Sequence, residues 1–371
     1  MERKARELPG TVAVKEPKPA RKPKPGLTAK DYLDELRALK KPKEDEEFAF
    51  FSDDLFAHPV TEWIPSGSLA IDKLTGGGWP VGRISECAAW ESVGKSTLLD
   101  QSIAQCQRIG GVACLIDTEA ARDERYSRLL GVDLDKLIVH SAETIEAAFT
   151  GIDKMLAVQE KLVDEAKGKA QPPILFIVWD SVGGTPTVAE RDGAADEAHV
   201  MEAARSIKMN FRRLALRLSS LRAALVCTNH FYQTIGPFAS LKTYGGSGIR
   251  YFTSLRVWLT KKDTLRMGTE QVGHAIEAKL KKTRIGPPTA PVEVGLLWNA
   301  GIDNAYSLFE WGKTHGVSPE HRWVALHGSW YYLMLPDGTH ETFQRGFVGL
   351  GELFQRRMDV YELMATAYMK G

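Results

Sequence analysis

Residues 88–100 read AAWESVGKSTLLD, and the nature of that stretch decides the fold. Gly94, Lys95, Ser96 and Thr97, followed by a helix-forming run, form the end of a phosphate-binding loop of pattern G-x-x-x-x-G-K-[ST]. The first glycine of that pattern falls on Ala89. Such a loop must follow a strand and open a helix, because the unpaired N–H groups and positive dipole end of the helix hold phosphate. Both contexts are present: 83–88 is a candidate strand, and 96–108 is helix-forming. Gly94 stands where backbone approaches phosphate most closely, whereas residue 89 shapes only the start of the loop. Alanine fits there if its φ is negative; at positive φ it costs on the order of 1 kcal/mol. The stretch predicts a working cradle formed by Glu91, Ser92, Val93, Gly94, Lys95, Ser96 and Thr97. Lys95 would reach the β- and γ-phosphates of a nucleotide, and Ser96 would place its hydroxyl on Mg²⁺.

Two carboxylates complete the expected chemistry. ILFIVWD, residues 174–180, is an apolar strand ending in Asp180, placed to hold Mg²⁺ through water. Glu119 lies two residues beyond the apolar run 112–117, at the end of a strand where α/β sheets bind ligands, and is the candidate base for the attacking water. A helix cap or a surface charge is its alternative role.

Working outward, strands are expected at 83–88, 112–117, 174–180, 223–229, 255–260, 274–282 and 292–298, and helices at 95–108, 145–161 and 198–221. Near-continuously apolar strands with helices between them predict an α/β fold with a mainly parallel sheet buried on both faces. Residues 63–303 form the expected core. Residues 304–371, rich in aromatics and turns, form a small C-terminal lobe. Tyr32, Leu33, Leu36 and Leu39 share one helical face, so 29–62 is expected to hold a short helix and linker whose apolar stripe needs a partner, either this chain or a neighbouring copy. Residues 1–28 carry eight Lys or Arg and three Glu. They are expected to be disordered, either as a solvated tail or as a basic arm that touches phosphates.

The 371 residues are 43% hydrophobic with a formal net charge of +1, so overall charge selects no partner. Cys87, Cys106, Cys114 and Cys227 lie in apolar runs without C-x-x-C spacing and are expected to be reduced core residues. With no apolar run near the roughly 18–20 residues a bilayer requires and no secretory leader, a cytoplasmic protein without membrane partners is expected.

In order and spacing, SGSLAIDKLTGGGWPVGRISE, ESVGKST, LIDTEAARDERYSRLLGVDLDKL and IVWDSV resemble the RecA family of recombinases. CTNHFYQTIGPFASLKTYGGSGIRYFTS resembles the family's second DNA-binding loop, and its NH pair, Tyr and GGSG turn look most like the UvsX-type recombinases of bacteriophages. The similarity runs from about Ser66 to Trp330. It implies a RecA-like P-loop ATPase that uses ATP and Mg²⁺, forms a helical filament on single-stranded DNA, and pairs that strand with homologous duplex DNA in recombination and repair. Single-strand-binding and loader proteins are among the implied partners.

Position by position, the resemblance puts Glu119 on the catalytic glutamate, and Asp123 and Tyr126 where adenine is hydrogen-bonded and stacked. His230 falls where a polar side chain senses the γ-phosphate and relays to the DNA loop. Lys282 and Arg284 match basic residues that reach into the neighbouring subunit's ATP. The first DNA loop corresponds to about 183–200 and is acidic, so the expected cations are Arg205 and Arg212 on the following helix, whose alternative is a solvated helix face. In the second loop, Phe231, Tyr232, Phe238 and Tyr244 are candidates to stack on bases, with core packing as the alternative for each. Lys242 and the Gly245, Gly246, Ser247, Gly248 turn face phosphate. Departures from the family pattern are Ala89-Trp90 at the loop start, a basic first segment, and the lack of an acidic run at YMKG. Rival readings are a ring-forming RecA-type helicase or repair motor, and a regulatory scaffold that keeps the fold without hydrolysis.

Overall fold

The computed structural model describes Lys30, Leu33, Asp34 and residues 59–370, except 121, 167–170, 194–196, 235–239 and 319–320. The arm expected over 1–28, and the helix-and-linker segment up to residue 58 apart from those three positions, lie outside the described residues.

The chain enters through β1 (Trp63–Ile64), α1 (Leu69–Thr75) and β2 (Trp79–Pro80). Ser68 caps α1 by accepting a hydrogen bond from the Ile71 N–H, and Gly76, in the left-handed region, ends it. Then follow β3 (Ile84–Ala89), α2 (Lys95–Arg108), β4 (Val112–Asp117), α3 (Glu124–Leu129), β5 (Leu137–Ser141), α4 (Ile145–Glu165), β6 (Leu175–Asp180), α5 (Val188–Asp192) and α6 (Glu197–Ser220). The second half holds β7 (Ala223–Gln233), β8 (Leu241–Thr243), α7 (Gly246–Phe252), β9 (Leu255–Met267), β10 (Glu270–Thr283), β11 (Val292–Leu297), β12 (Gly301–Asp303) and α8 (Asn304–Gly312). The chain closes with β13 (Val324–His327), β14 (Trp330–Met334), β15 (His340–Phe343), α9 (Phe347–Arg356) and α10 (Met358–Lys370).

The main sheet runs β12-β11-β10-β9-β3-β7-β6-β4-β5, with β8 hairpinned onto β7. From β9 to β5 every pairing is parallel; from β9 to β12 every pairing is antiparallel. This is the expected α/β architecture, and its period is visible in β6. Phe176 and Val178 join the apolar cluster of α2, while Leu175, Ile177 and Trp179 join the cluster of α4 and α6. Successive strand side chains point to opposite faces, so a continuously apolar strand is one covered on both sides. The four cysteines are free and buried.

The last three strands form a separate antiparallel sheet, β13-β14-β15. Leu333, Phe343, Leu353 and Met364 nevertheless belong to the same apolar cluster as Ile71 and Leu98 of the main unit. The small C-terminal lobe is therefore packed onto the core rather than tethered to it. Among the described residues, no helix is long and apolar enough to cross a membrane.

The parallel strands are in register at the ends that matter. Ala89 lies beside His230, and Asp117 beside Asp180. The segments after β3, β4 and β6 therefore meet at the carboxyl-terminal ends of the parallel strands, where open α/β sheets take ligands.

Candidate functional site

At those strand ends lies a cleft of about 630 Å³. Glu91, Ser92 and the run Gly94, Lys95, Ser96 and Thr97 line it, together with Glu119, Tyr126, Asp180 and His230. Ten of the residues singled out in the sequence thus share one cleft. Val93 supports it from within, at 2% exposure in the core.

The loop explains its own sequence. Ala89 is the last residue of β3, fully buried, extended, and paired to both β7 and β9. It is not among the residues with positive φ, so its methyl group brings no backbone strain. Ser92 is the non-glycine residue of the loop in the left-handed region, with φ 57°. Gly94 does need to be glycine: its φ is 113°, and a Cβ there would stand 2.3 Å from Leu296 Cδ1. It also caps α2, so the first N–H groups of that helix open on the cleft. Lys95 Nζ donates to the carbonyl of Trp90 at 3.0 Å and more loosely to that of Ala89 at 3.4 Å. Burial pushes its pKa down, while the Cys87 thiol, Asp180, Glu119 and Glu91 push it back up.

Glu119 is held from two sides: Oε1 accepts from Ser181 Oγ at 2.6 Å and lies 3.2 Å from His230 Nε2. Its backbone N–H donates to Asp117 Oδ1 at 3.1 Å, as does that of Ala120 at 3.0 Å. This turn sends the glutamate back over the strand ends. Asp180 is held as firmly. Thr228 Oγ1 donates to its Oδ1 at 2.5 Å, and Arg122 Nη2 to its Oδ2 at 2.8 Å. Arg122 also pairs with Asp100 of α2, whose other oxygen accepts from Ser127 Oγ at 2.7 Å.

Several of these partners were not picked out from sequence. Arg122 sits unremarkably in AARDERYSR. Asp100 carried a usable signal, a carboxylate on the buried stripe of α2. His274, 3% exposed, lines the cleft with Leu296 and Trp298, and its Nε2 lies 3.2 Å from the Val93 carbonyl. Its other nitrogen is buried without a partner, and burial lowers its pKa.

Other expected residues stand elsewhere. Asp123 is not among the residues lining the cleft; its carboxylate caps α3 by accepting from the Arg125 N–H at 2.8 Å. Lys282 and Arg284 do not line the cleft of their own chain either. Lys282 Nζ donates to the carbonyls of Arg250, Tyr251 and Thr253 at the end of α7. Burial, together with Arg284, Arg256 and Arg250, pushes its pKa down to about 8. Arg284 is exposed.

β7 leaves the cleft at His230 and continues into the second loop. Phe231 departs from the expectation of a base-stacking residue. It is 4% exposed, 4.7 Å from the Trp258 ring and 5.8 Å from Trp90, which is core packing. Tyr232 and the more exposed Tyr244 are ring neighbours at 5.1 Å, and Lys242 is exposed. Gly245 and Gly246, with φ 81° and 63°, open α7 beside exposed Ser247. Phe238 lies outside the described residues. Arg205 and Arg212 are exposed on α6. In the first loop, Thr187 and Glu190 form a reciprocal capping box that starts α5, and Arg191 pairs with Asp192 and Glu143.

Beneath the second loop lies a buried network. Asn229 Nδ2 donates to Glu86 Oε1 at 2.8 Å and to the Tyr244 carbonyl at 2.9 Å. Arg256 pairs with Glu86 and donates to Thr243 Oγ1 at 2.9 Å. One strand thus places a cleft residue, His230, directly after a residue that ties down the end of the loop.

This arrangement can be set beside known proteins. The family model of the RecA N-terminal domain matches residues 55–303. The chain is 33% identical over 316 residues to the Protein RecA of Thermotoga neapolitana, which covers 84% of each chain. It is 35% identical over 273 residues to the Protein RecA of Leifsonia xyli subsp. xyli, covering 73% of this chain and 71% of that one. With the phosphate loop, the two carboxylates and the polar strand end in one cleft of a mostly parallel sheet, the chain belongs to the RecA family.

Proposed function

We propose that this protein is a DNA-dependent ATPase that assembles as a helical filament on single-stranded DNA and pairs that strand with a homologous duplex, in recombination and repair. The observation that carries this reading is the pair of contacts on Glu119 Oε1. A cleft carboxylate placed to orient water is also within 3.2 Å of His230, whose strand runs straight into the second loop. A change at either end therefore has a short physical route to the other.

The donors present suit a magnesium nucleotide. Ser96 offers a hydroxyl and Asp180 a carboxylate, both hard oxygen ligands, and Gly94 leaves the backbone clear where a Cβ would strike Leu296. Mg²⁺ held by Ser96 and, through water, by Asp180 would neutralise charge on the β- and γ-phosphate oxygens. Lys95 holds those phosphates, Tyr126 forms a wall for the base and Asp123 gives it a hydrogen-bond partner. Glu119 takes the proton of the attacking water while His230 reads the γ-phosphate. Lys282 and Arg284 serve the cleft of the next protomer, and the segment 29–62 docks on that neighbour. Arg205, Arg212, Tyr232, Lys242 and the turn Gly245, Gly246 and Ser247 face DNA, with the basic 1–28 arm as an accessory. The Asn229-His230 pair and the GGSG turn support a place nearest the UvsX-type recombinases of bacteriophages.

The test is ATP hydrolysis with and without single-stranded DNA, with Lys95→Ala as the blank. Marked stimulation by DNA is expected. Intact DNA binding without hydrolysis above the blank would overturn the enzymatic reading in favour of a regulatory scaffold.

A further inference from the structure

Arg122 is an unusual neighbour for a carboxylate assigned to a metal. Its side chain is 16% exposed, and its guanidinium joins two carboxylates, each 7% exposed, from different elements. One is Asp100 on α2, the helix whose first turn carries Lys95 and Ser96. The other is Asp180 at the end of β6, at 2.8 Å. Asp180 does not depend on this contact for its position, because Thr228 Oγ1 donates to its other oxygen at 2.5 Å and the strand fixes its backbone. What the guanidinium changes is charge. It stands nearer to Asp180 than Asp100 does, since it lies between them, so the Asp100–Arg122 pair presents its positive end to the metal carboxylate. At low effective dielectric such a contact is felt strongly, and a fixed positive charge beside the carboxylate opposes the entry of a divalent cation.

We propose that Arg122 is a resident counter-cation of the metal-site carboxylate: it occupies Asp180 from behind, and so raises the Mg²⁺ concentration at which the cleft takes up nucleotide. It acts through Asp180 and is a positioning residue, not a catalytic one. The idea rests on the Mg²⁺–ATP reading above. The trio also explains how Asp100 comes to be buried, since a lone carboxylate in α2 would lack a counter-charge.

The experiment uses the full chain and reads binding, not turnover. A ribose-labelled fluorescent ATP is held at fixed concentration while free Mg²⁺ is titrated, and the midpoint is compared among variants. Arg122→Gln keeps a hydrogen-bonding amide but removes the charge. Asp100→Leu/Arg122→Leu removes both charges and leaves the local net charge unchanged. Both midpoints are expected to fall, by about three- to tenfold. Arg122→Lys keeps the cation and is expected to stay within about twofold of the parent. A midpoint that stays or rises in folded Arg122→Gln or the double variant overturns the proposal. So does a fall in Arg122→Lys as large as in Arg122→Gln, because geometry would then outweigh charge. Failure of both charge-removing variants to fold would show a purely structural arginine and overturn it as well. If the parent protein shows no Mg²⁺-dependent nucleotide binding, the ATPase reading fails first and takes this one with it; an unmoved midpoint beside a working parent removes only the role of Arg122.

Discussion

The cleft and the second loop, joined through the last residues of β7, treat polar groups differently. At the cleft, Glu119, Asp180 and Asp100 are each held by named partners: Ser181 and His230, Thr228 and Arg122, Arg122 and Ser127. On the loop side, Lys242, Tyr244, Arg205 and Arg212 are exposed. The first arrangement fixes charges before a ligand arrives, which suits chemistry that depends on preorganised electrostatics. The second leaves cations in water, which suits a polyanion bound largely through counterion release. Between them, Asn229, Glu86 and Arg256 form a dry layer, Glu86 being fully buried and Arg256 5% exposed. The difference teaches that this buried layer, rather than the cleft or the exposed cations, is where a mutation should be felt most in stability.

The largest effect is therefore expected from Arg256→Leu. It strands Glu86 in the interior without its cation and should cost about 3–5 kcal/mol, read from the urea midpoint. Glu86→Leu combined with Arg256→Leu should recover most of that loss, since a buried ion pair replaced by packed apolar groups is often neutral. A single variant as stable as the parent would break the comparison.

The loop side should respond in the opposite way. Arg205→Ala and Arg212→Ala should leave unfolding within about 0.5 kcal/mol of the parent. Each should reduce the slope of log affinity for single-stranded DNA against log salt by about 0.7. An unchanged slope would return these arginines to a solvated helix face.

The contrast also sets what could be read from sequence. The ends of β4 and α2 were legible to the residue, because full burial on both faces writes an uninterrupted apolar run and a glycine-lysine start marks the helix. β9 and β10 were legible only where they are covered. Beyond Thr260 the strand carries Lys261, Lys262, Asp263 and Thr264, all exposed, and an exposed strand has no apolar pattern to betray it. β5, with five residues at the sheet edge, and α3, with six, are too short for periodicity to register. In the site, residues bound to a motif were legible by spacing. The second partner of each was not: Arg122 meets Asp180 across 58 positions and Ser181 meets Glu119 across 62. Phe231 shows the converse. An aromatic near a strand end suits a ligand or the fold equally well, and only the packing around Trp258 separates those roles.

The smallest effect on ligand binding is expected at the residue that departs from the loop pattern. Ala89 is extended and fully buried at the end of β3. Glycine has an advantage over alanine where φ is positive, and Ala89 is not among the positive-φ residues. Ala89→Gly should therefore gain nothing in backbone freedom that the loop uses. It should lose one buried methyl and add unfolded-state entropy, together about 1–1.5 kcal/mol of stability. The KM for ATP should stay within about twofold of the parent. At Gly94 the same pair of residues has the opposite meaning, since a methyl there meets Leu296 at 2.3 Å with φ at 113°. If Ala89→Gly instead tightened nucleotide binding tenfold or more, the start of the loop would have to move onto the phosphates when they bind. The cleft would then be less preorganised than its hydrogen bonds imply, and its contrast with the exposed cations of the second loop and α6 would shrink accordingly.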